Sequence, residues 1–150
     1  MDWYVRRFLK SSLFWLALGV TLGLVMAFFP RTVIYRPAHQ HMNLLGFVAM
    51  MIFGVGYHVL PRISGRTLLS PRWAGIHWWL ANLGLAGMVT GFMLRPHVGG
   101  GAAAALGIGG VLAASGAMSF VVNIWRTMDQ PLPYSKSARP LPEAPARAAH

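Results

Sequence analysis

The sequence predicts an all-α integral membrane protein, a four-helix bundle with both termini in the cytoplasm. Three observations carry this. Of 150 residues, 55% are hydrophobic and 11% charged, with a mean hydropathy of +0.50. A soluble domain of this size carries roughly 25% charged residues. The charges are also bunched, leaving four long apolar runs of the length, about 20 residues, that a bilayer-spanning helix needs. Finally, the basic residues segregate to alternate ends of those runs.

The first predicted helix covers about residues 11–29 and stops at Pro30. Arg6, Arg7 and Lys10 precede it, as in a signal peptide. The apolar run is too long for a typical signal core, however, and no A-x-A cleavage site follows, so it is expected to be retained. The second runs over about 38–60 and ends at Pro61 and Arg62. The third, about 71–94, begins at Pro71, which suits a first helical turn because its missing N–H does no harm there. It ends at Arg95 and Pro96. The fourth, about 102–125, is entered through Gly99, Gly100 and Gly101 and ends at Arg126. Small residues on the third helix (Gly84, Gly87, Gly91) and the fourth (Gly107, Gly110, Ala114, Ala117) are those through which membrane helices pack closely. The proline-rich tail, 129–150, lacks apolar periodicity and is expected to be disordered.

Orientation follows from the positive-inside rule. Arg6, Arg7, Lys10, Arg62, Arg66, Arg72, Arg126, Lys136, Arg139 and Arg147 fall on one side, ten in all; Arg31, Arg36 and Arg95 fall on the other. The ten-residue side is expected to be cytoplasmic, in a bacterial inner membrane. Trp3, Tyr4, Tyr35, Tyr57, Trp73, Trp125 and Tyr134 lie near the predicted interfaces. The net charge of +10 is assigned to contact with anionic lipid rather than nucleic acid, since no basic stripe lies on a soluble surface. The chain has no cysteine, which excludes disulfides, thiolate metal sites, iron–sulfur clusters and covalently attached haem.

Histidines are the residues that could carry chemistry. His39, His41, His58, His77 and His97 lie in or at the ends of predicted spans; His150 ends the tail and is discounted. Ionisable groups within a membrane are costly and tend to face a partner, a cofactor or water. A neutral imidazole is also a common axial ligand of haem iron, although hydrogen bonding to a neighbouring helix explains any single histidine as well. His58, four residues before Arg62, and His77, five after Arg72, fall at nearly the same depth on neighbouring antiparallel helices. At the other side, His97 is closer in depth to His39 than to His41. Two residues apart on a helix point about 200° apart, so His39 and His41 are not expected to share one metal. Pro37 is expected to leave Arg36 extended and the helix to begin just after it.

The stretch RPAHQHMNLLGF from Arg36, continuing to IFGVGYHVLPRI over Ile52–Ile63, resembles the second helix of haem-copper oxidase subunit I, nearest the nitric oxide reductase and C-type cytochrome oxidase branches. HWWLANLGLAGM from His77 is similar to the next helix; the likeness spans about 60 residues, Tyr35 to Met93. It implies His41 as a ligand of a low-spin haem. The family's catalytic subunit has about twelve helices, a copper site and further haem ligands; this chain supplies four helices and neither of the other two. Oxygen or nitric oxide reduction by this chain alone is therefore not expected. The expected cofactor is haem b, one per chain favoured over two, in an electron-transfer or small oxidase-like module. The metal ligands are drawn from His41, His58 and His77, with His97 and His39 as further contacts. The alternative is a non-catalytic structural or assembly subunit. A haem gas sensor is a variant of the first reading. Copper handling is disfavoured, because Met50, Met51, Met88 and Met118 fit ordinary packing. Expected partners are the bilayer, a second copy, or a respiratory complex.

Overall fold

A computed structural model describes residues 1–132; the remaining tail, with Tyr134, Lys136, Arg139, Arg147 and His150, lies outside the described residues. The described residues form helices and no strand. Three continuous helical stretches are long and apolar enough to cross a membrane: Trp3–Phe28, Pro30–Ile63 and Pro71–Met128. The last folds back on itself at Gly99, whose φ of +54° lies in the region that favours glycine. It thus supplies α4 (Pro71–Val98) and α5 (Ala103–Met128), joined by a 3-10 turn over Gly99–Ala102. With α1 (Trp3–Phe28) and a composite second span, there are four passes among the described residues. The protein is a membrane-spanning helical bundle.

Each pass extends beyond the apolar run that signals it. α1 begins at Trp3, well before residue 11. At about 1.5 Å per residue its 26 residues span about 39 Å, longer than a hydrocarbon core of about 30 Å, so its basic first turns reach the headgroups. The second span is built in pieces. A 3-10 turn, Pro30–Tyr35, feeds α2 (Arg36–His41); a π-helical stretch, Met42–Ala49, follows, then α3 (Met50–Ile63). Arg36 is helical, not extended, with φ −49° and ψ −41°. The turn before it explains the departure: the Arg36 N–H is committed to the Val33 carbonyl, which holds the residue in the helix despite the following proline. α3 likewise continues past Pro61 and stops at Gly65 (φ +65°). There the Arg66 N–H reaches the Pro61 carbonyl and the Gly65 N–H reaches that of Arg62, the pairing of a Schellman cap.

Glycines set the helix contacts. A Cβ on Gly84 would stand 2.5 Å from the Ala113 nitrogen, and one on Gly109 2.6 Å from that of Met88, so α4 and α5 pack backbone to backbone. Gly46 in the π-helical stretch receives the Trp15 side chain, and Gly19 and Gly23 of α1 receive Asn43 and His39. α1 and α4 run parallel and are tied by two indoles: Trp15 Nε1 donates to Asn82 Oδ1 at 3.1 Å and Trp78 Nε1 to Ser11 Oγ at 2.9 Å. Large apolar side chains such as Phe14, Leu24, Leu44, Ile52, Ile76, Leu83, Ile108 and Val111 face outward, as lipid contact requires.

An even number of passes returns both ends of the described chain to one end of the bundle. Asp2 pairs with Arg62 there at 3.4 Å. Asn123 clamps Ser70, accepting from its N–H at 3.2 Å and donating to its carbonyl at 2.9 Å. Thr127 Oγ1 accepts the Leu69 N–H at 3.0 Å. Seven described basic residues, Arg6, Arg7, Lys10, Arg62, Arg66, Arg72 and Arg126, gather at this basic end, and Arg31, Arg36 and Arg95 at the other.

Candidate functional site

His39 and His41 close α2 immediately before the π-helical stretch. They diverge as their spacing requires. His39 turns to α1, where its Nδ1 lies 2.8 Å from the Gly19 carbonyl and its ring crosses the face of Gly23. Asn43 braces it by donating to the His39 carbonyl at 2.9 Å. His41 turns to α4; its ring centroid lies 4.6 Å from that of Phe92, and its Nδ1 is 2.8 Å from the Pro37 carbonyl. The His39 Nδ1 also lies 3.3 Å from the Asn43 amide nitrogen, a donor; the His41 Nδ1 faces only a carbonyl, which accepts, so there Nδ1 carries the proton. In the neutral ring Nε2 then holds the lone pair, the arrangement in which a ligating histidine is oriented by a backbone partner.

His58 has the opposite tautomer. Arg62 Nη1 donates to its Nδ1 at 2.8 Å, so its neutral ring carries the proton on Nε2. His77 is fully buried among Phe8, Phe53, Tyr57 and Phe120. Its Nδ1 lies 3.2 Å from the Tyr57 hydroxyl, and its Nε2 has no partner among the described residues. The structure therefore joins His77 to Tyr57, the residue before His58, while His58 is held by Arg62 on its own helix. At the other end His97 Nε2 meets the Tyr35 hydroxyl at 2.9 Å and does not join His41. The sequence assigns both tyrosines to the interfacial belt; their spacing from the proline-marked helix ends puts each level with its histidine but does not say which way the rings turn.

A haem needs a lone-pair nitrogen and room for a flat macrocycle. His41 meets the first requirement: its Nε2 is the lone-pair nitrogen, on a half-buried flank of the bundle. His77 has an unpartnered nitrogen but no room. A Cβ on Gly116 of α5 would lie 3.2 Å from its Cδ2, and phenyl rings close the other sides. A cavity of about 60 Å³ that shares Phe53 with its surroundings, bounded also by Ala49, Met50, Ala81 and Ala113 among others, is too small for a macrocycle. Among the described residues no group of three histidines or carboxylates converges on one point, so a copper or zinc centre is not assembled there.

Comparison with known proteins shows what this arrangement is similar to. Residues 31–101 match the family described as Cytochrome C and Quinol oxidase polypeptide I. Cytochrome c oxidase subunit 1 of Rhodobacter capsulatus is 30% identical over 60% of the chain, and the cbb3-type cytochrome c oxidase subunit CcoN1 of Stutzerimonas stutzeri is 27% identical over 90% of it. The chain spans only 22% and 35% of the length of these two relatives. The matched segment contains His39, His41, His58, His77 and His97, and the membrane bundle is built around it. Over part of its length, this chain is similar to haem-copper oxidase subunit I.

Proposed function

We propose that the protein is a haem b-binding membrane subunit serving electron transfer, or a small oxidase or nitric-oxide-related module, in a bacterial inner membrane. The observation that carries the reading is the His41 imidazole, its Nδ1–H given to the Pro37 carbonyl and its Nε2 left as a lone pair inside the family-like segment. When bound, haem b supplies a one-electron redox centre. His41 holds the iron through Nε2, and Phe92 supports the imidazole face. His39, braced by Asn43 and turned to α1, acts as a neighbouring polar contact rather than a co-ligand, because it points to a different helix. His97 is engaged by Tyr35, so a further histidine toward the group would be supplied by a second copy or a partner subunit. Arg62 must release His58 before that residue can ligate, and α5 must move before His77 can, so both are secondary to His41.

The test is a pyridine haemochrome assay on protein purified from haem-supplied cells. The proposal expects a reduced b-type spectrum at about one haem per chain, extractable with acid acetone because no cysteine anchors it. A colourless, folded preparation would instead favour the second reading, a structural or assembly subunit. That reading draws support from the closed packing around His77, which needs no cofactor to complete it.

A further inference from the structure

At the basic end the α1 start, the α3 end and the loop before α4 enclose a vestibule of about 390 Å³. That is within the range, roughly 300–1,000 Å³, of small-ligand pockets. Its inner walls are apolar or aromatic, with Tyr57, Pro61, Leu68 and Pro71, and its mouth carries Arg62 and Arg66.

Both guanidiniums are anchored on one edge. Arg62 uses Nη1 on the His58 carbonyl and ring, and reaches Asp2 with Nη2 at 3.4 Å in a pair exposed to solvent. Arg66 gives Nε to the Gln130 carbonyl and Nη1 to that of Ser64. The Gln130 contact ties it to the segment after α5, which the Asn123 and Thr127 bonds already fix against the same loop. Arg66 Nη2 has no protein partner among the described residues, and neither has the Thr67 hydroxyl. Two arginines face one carboxylate, so the mouth keeps a positive charge. Fixed guanidinium edges suit the oxygens of a phosphate, which accept two parallel hydrogen bonds.

We propose that this vestibule binds the phosphate group of an anionic amphiphile. The phosphate sits between Arg62 and Arg66, and the adjoining apolar part lies against Pro61, Leu68 and Pro71. The position, at the membrane end of the bundle, is where anionic headgroups lie. The site does not depend on haem.

The test uses the full chain in detergent, titrated with dihexanoyl phosphatidylglycerol, dihexanoyl phosphatidylcholine and inorganic phosphate, and followed by phosphorus NMR and native mass spectrometry. Saturable one-to-one binding of phosphatidylglycerol is expected, with phosphatidylcholine at least about tenfold weaker. Arg66→Gln should weaken phosphatidylglycerol about tenfold, the loss of one charged hydrogen-bonding group. Arg66→Lys should recover part of this, and Arg36→Gln, at the opposite end, should change nothing. Competition by inorganic phosphate assigns the site to the phosphate group alone; binding of lipid without such competition assigns it to a lipid headgroup. Circular dichroism checks folding of each variant, and Thr67→Val supplies a second, milder perturbation of the same mouth should Arg66→Gln misfold. Equal binding of the two lipids, or full affinity in both Arg66→Gln and Thr67→Val, would overturn the proposal.

Discussion

Asn82 shows how one polar side chain fixes a helix pair inside a membrane. Its Oδ1 accepts from Trp15 on α1, and its Nδ2 donates to the Trp78 carbonyl one turn earlier on α4. With no water to replace a lost partner, the Trp15 indole N–H stays buried and unpaired when the acceptor goes. Asn82→Leu should therefore destabilise the bundle by about 0.6–2 kcal/mol, the range measured for interhelical bonds in membranes. Unfolding in a mixed-micelle titration reads this, and Trp15→Phe on that background should add little, since the two changes remove one interaction. His58 poses a different question at the same scale. Arg62→Leu frees its Nδ1, so added imidazole-seeking metal such as Ni²⁺ should bind at this end more tightly than in the parent chain. The increase is checked by calorimetry and should vanish when His58→Ala is combined with it.

Among elements, the α4–α5 hairpin rests on glycine. Gly84 and Gly109 face each other's backbones, whereas Gly107 and Gly110 have open space where a Cβ would stand. Gly84→Val or Gly109→Val should force the helices apart and lower thermal stability in detergent by several degrees or more; Gly107→Val should leave it within error. The contrast illustrates what the sequence can disclose. The small-residue pattern marked both helices as packing elements, and the chain shows which glycines are used only when the helices are paired. Helix ends were legible in part. Pro71 and Gly99–Gly101 mark real boundaries, but Pro61 and Pro96 stand inside helices that run on to Ile63 and Val98. Proline weakens the helix locally without ending it when a later cap, here Gly65, satisfies the last carbonyls. The π-helical stretch after His41 had no sequence signal beyond Gly46, against which Trp15 packs from another helix.

For the molecule as a whole, hydropathy and charge asymmetry were enough to read a helical membrane bundle, and the segment from Arg36 was enough to show its likeness to haem-copper oxidase subunit I. The histidine partners were not readable. Depth puts His58 and His77 on one level, but which way a ring points depends on the facing helix, and Tyr57 and Arg62 take those positions. The seven-to-three division of basic residues among the described residues predicts that the basic end is cytoplasmic. Alkaline phosphatase fused within Gly99–Gly101 should be active and a fusion after Arg126 inactive. The reverse pattern would invert the protein and place the vestibule in the periplasm.

Haem ligation by His41 is tested most directly by the haem content and reduced α-band of the purified protein and two variants, His41→Ala and His77→Ala. His41→Ala should lose the low-spin signal or convert it to high spin. His77→Ala should keep the haem, with reduced stability from a cavity left between Phe8, Phe53 and Phe120. Full haem content and an unchanged α-band in His41→Ala, with loss in His77→Ala, would contradict the assignment and show that α5 opens to admit the cofactor at His77.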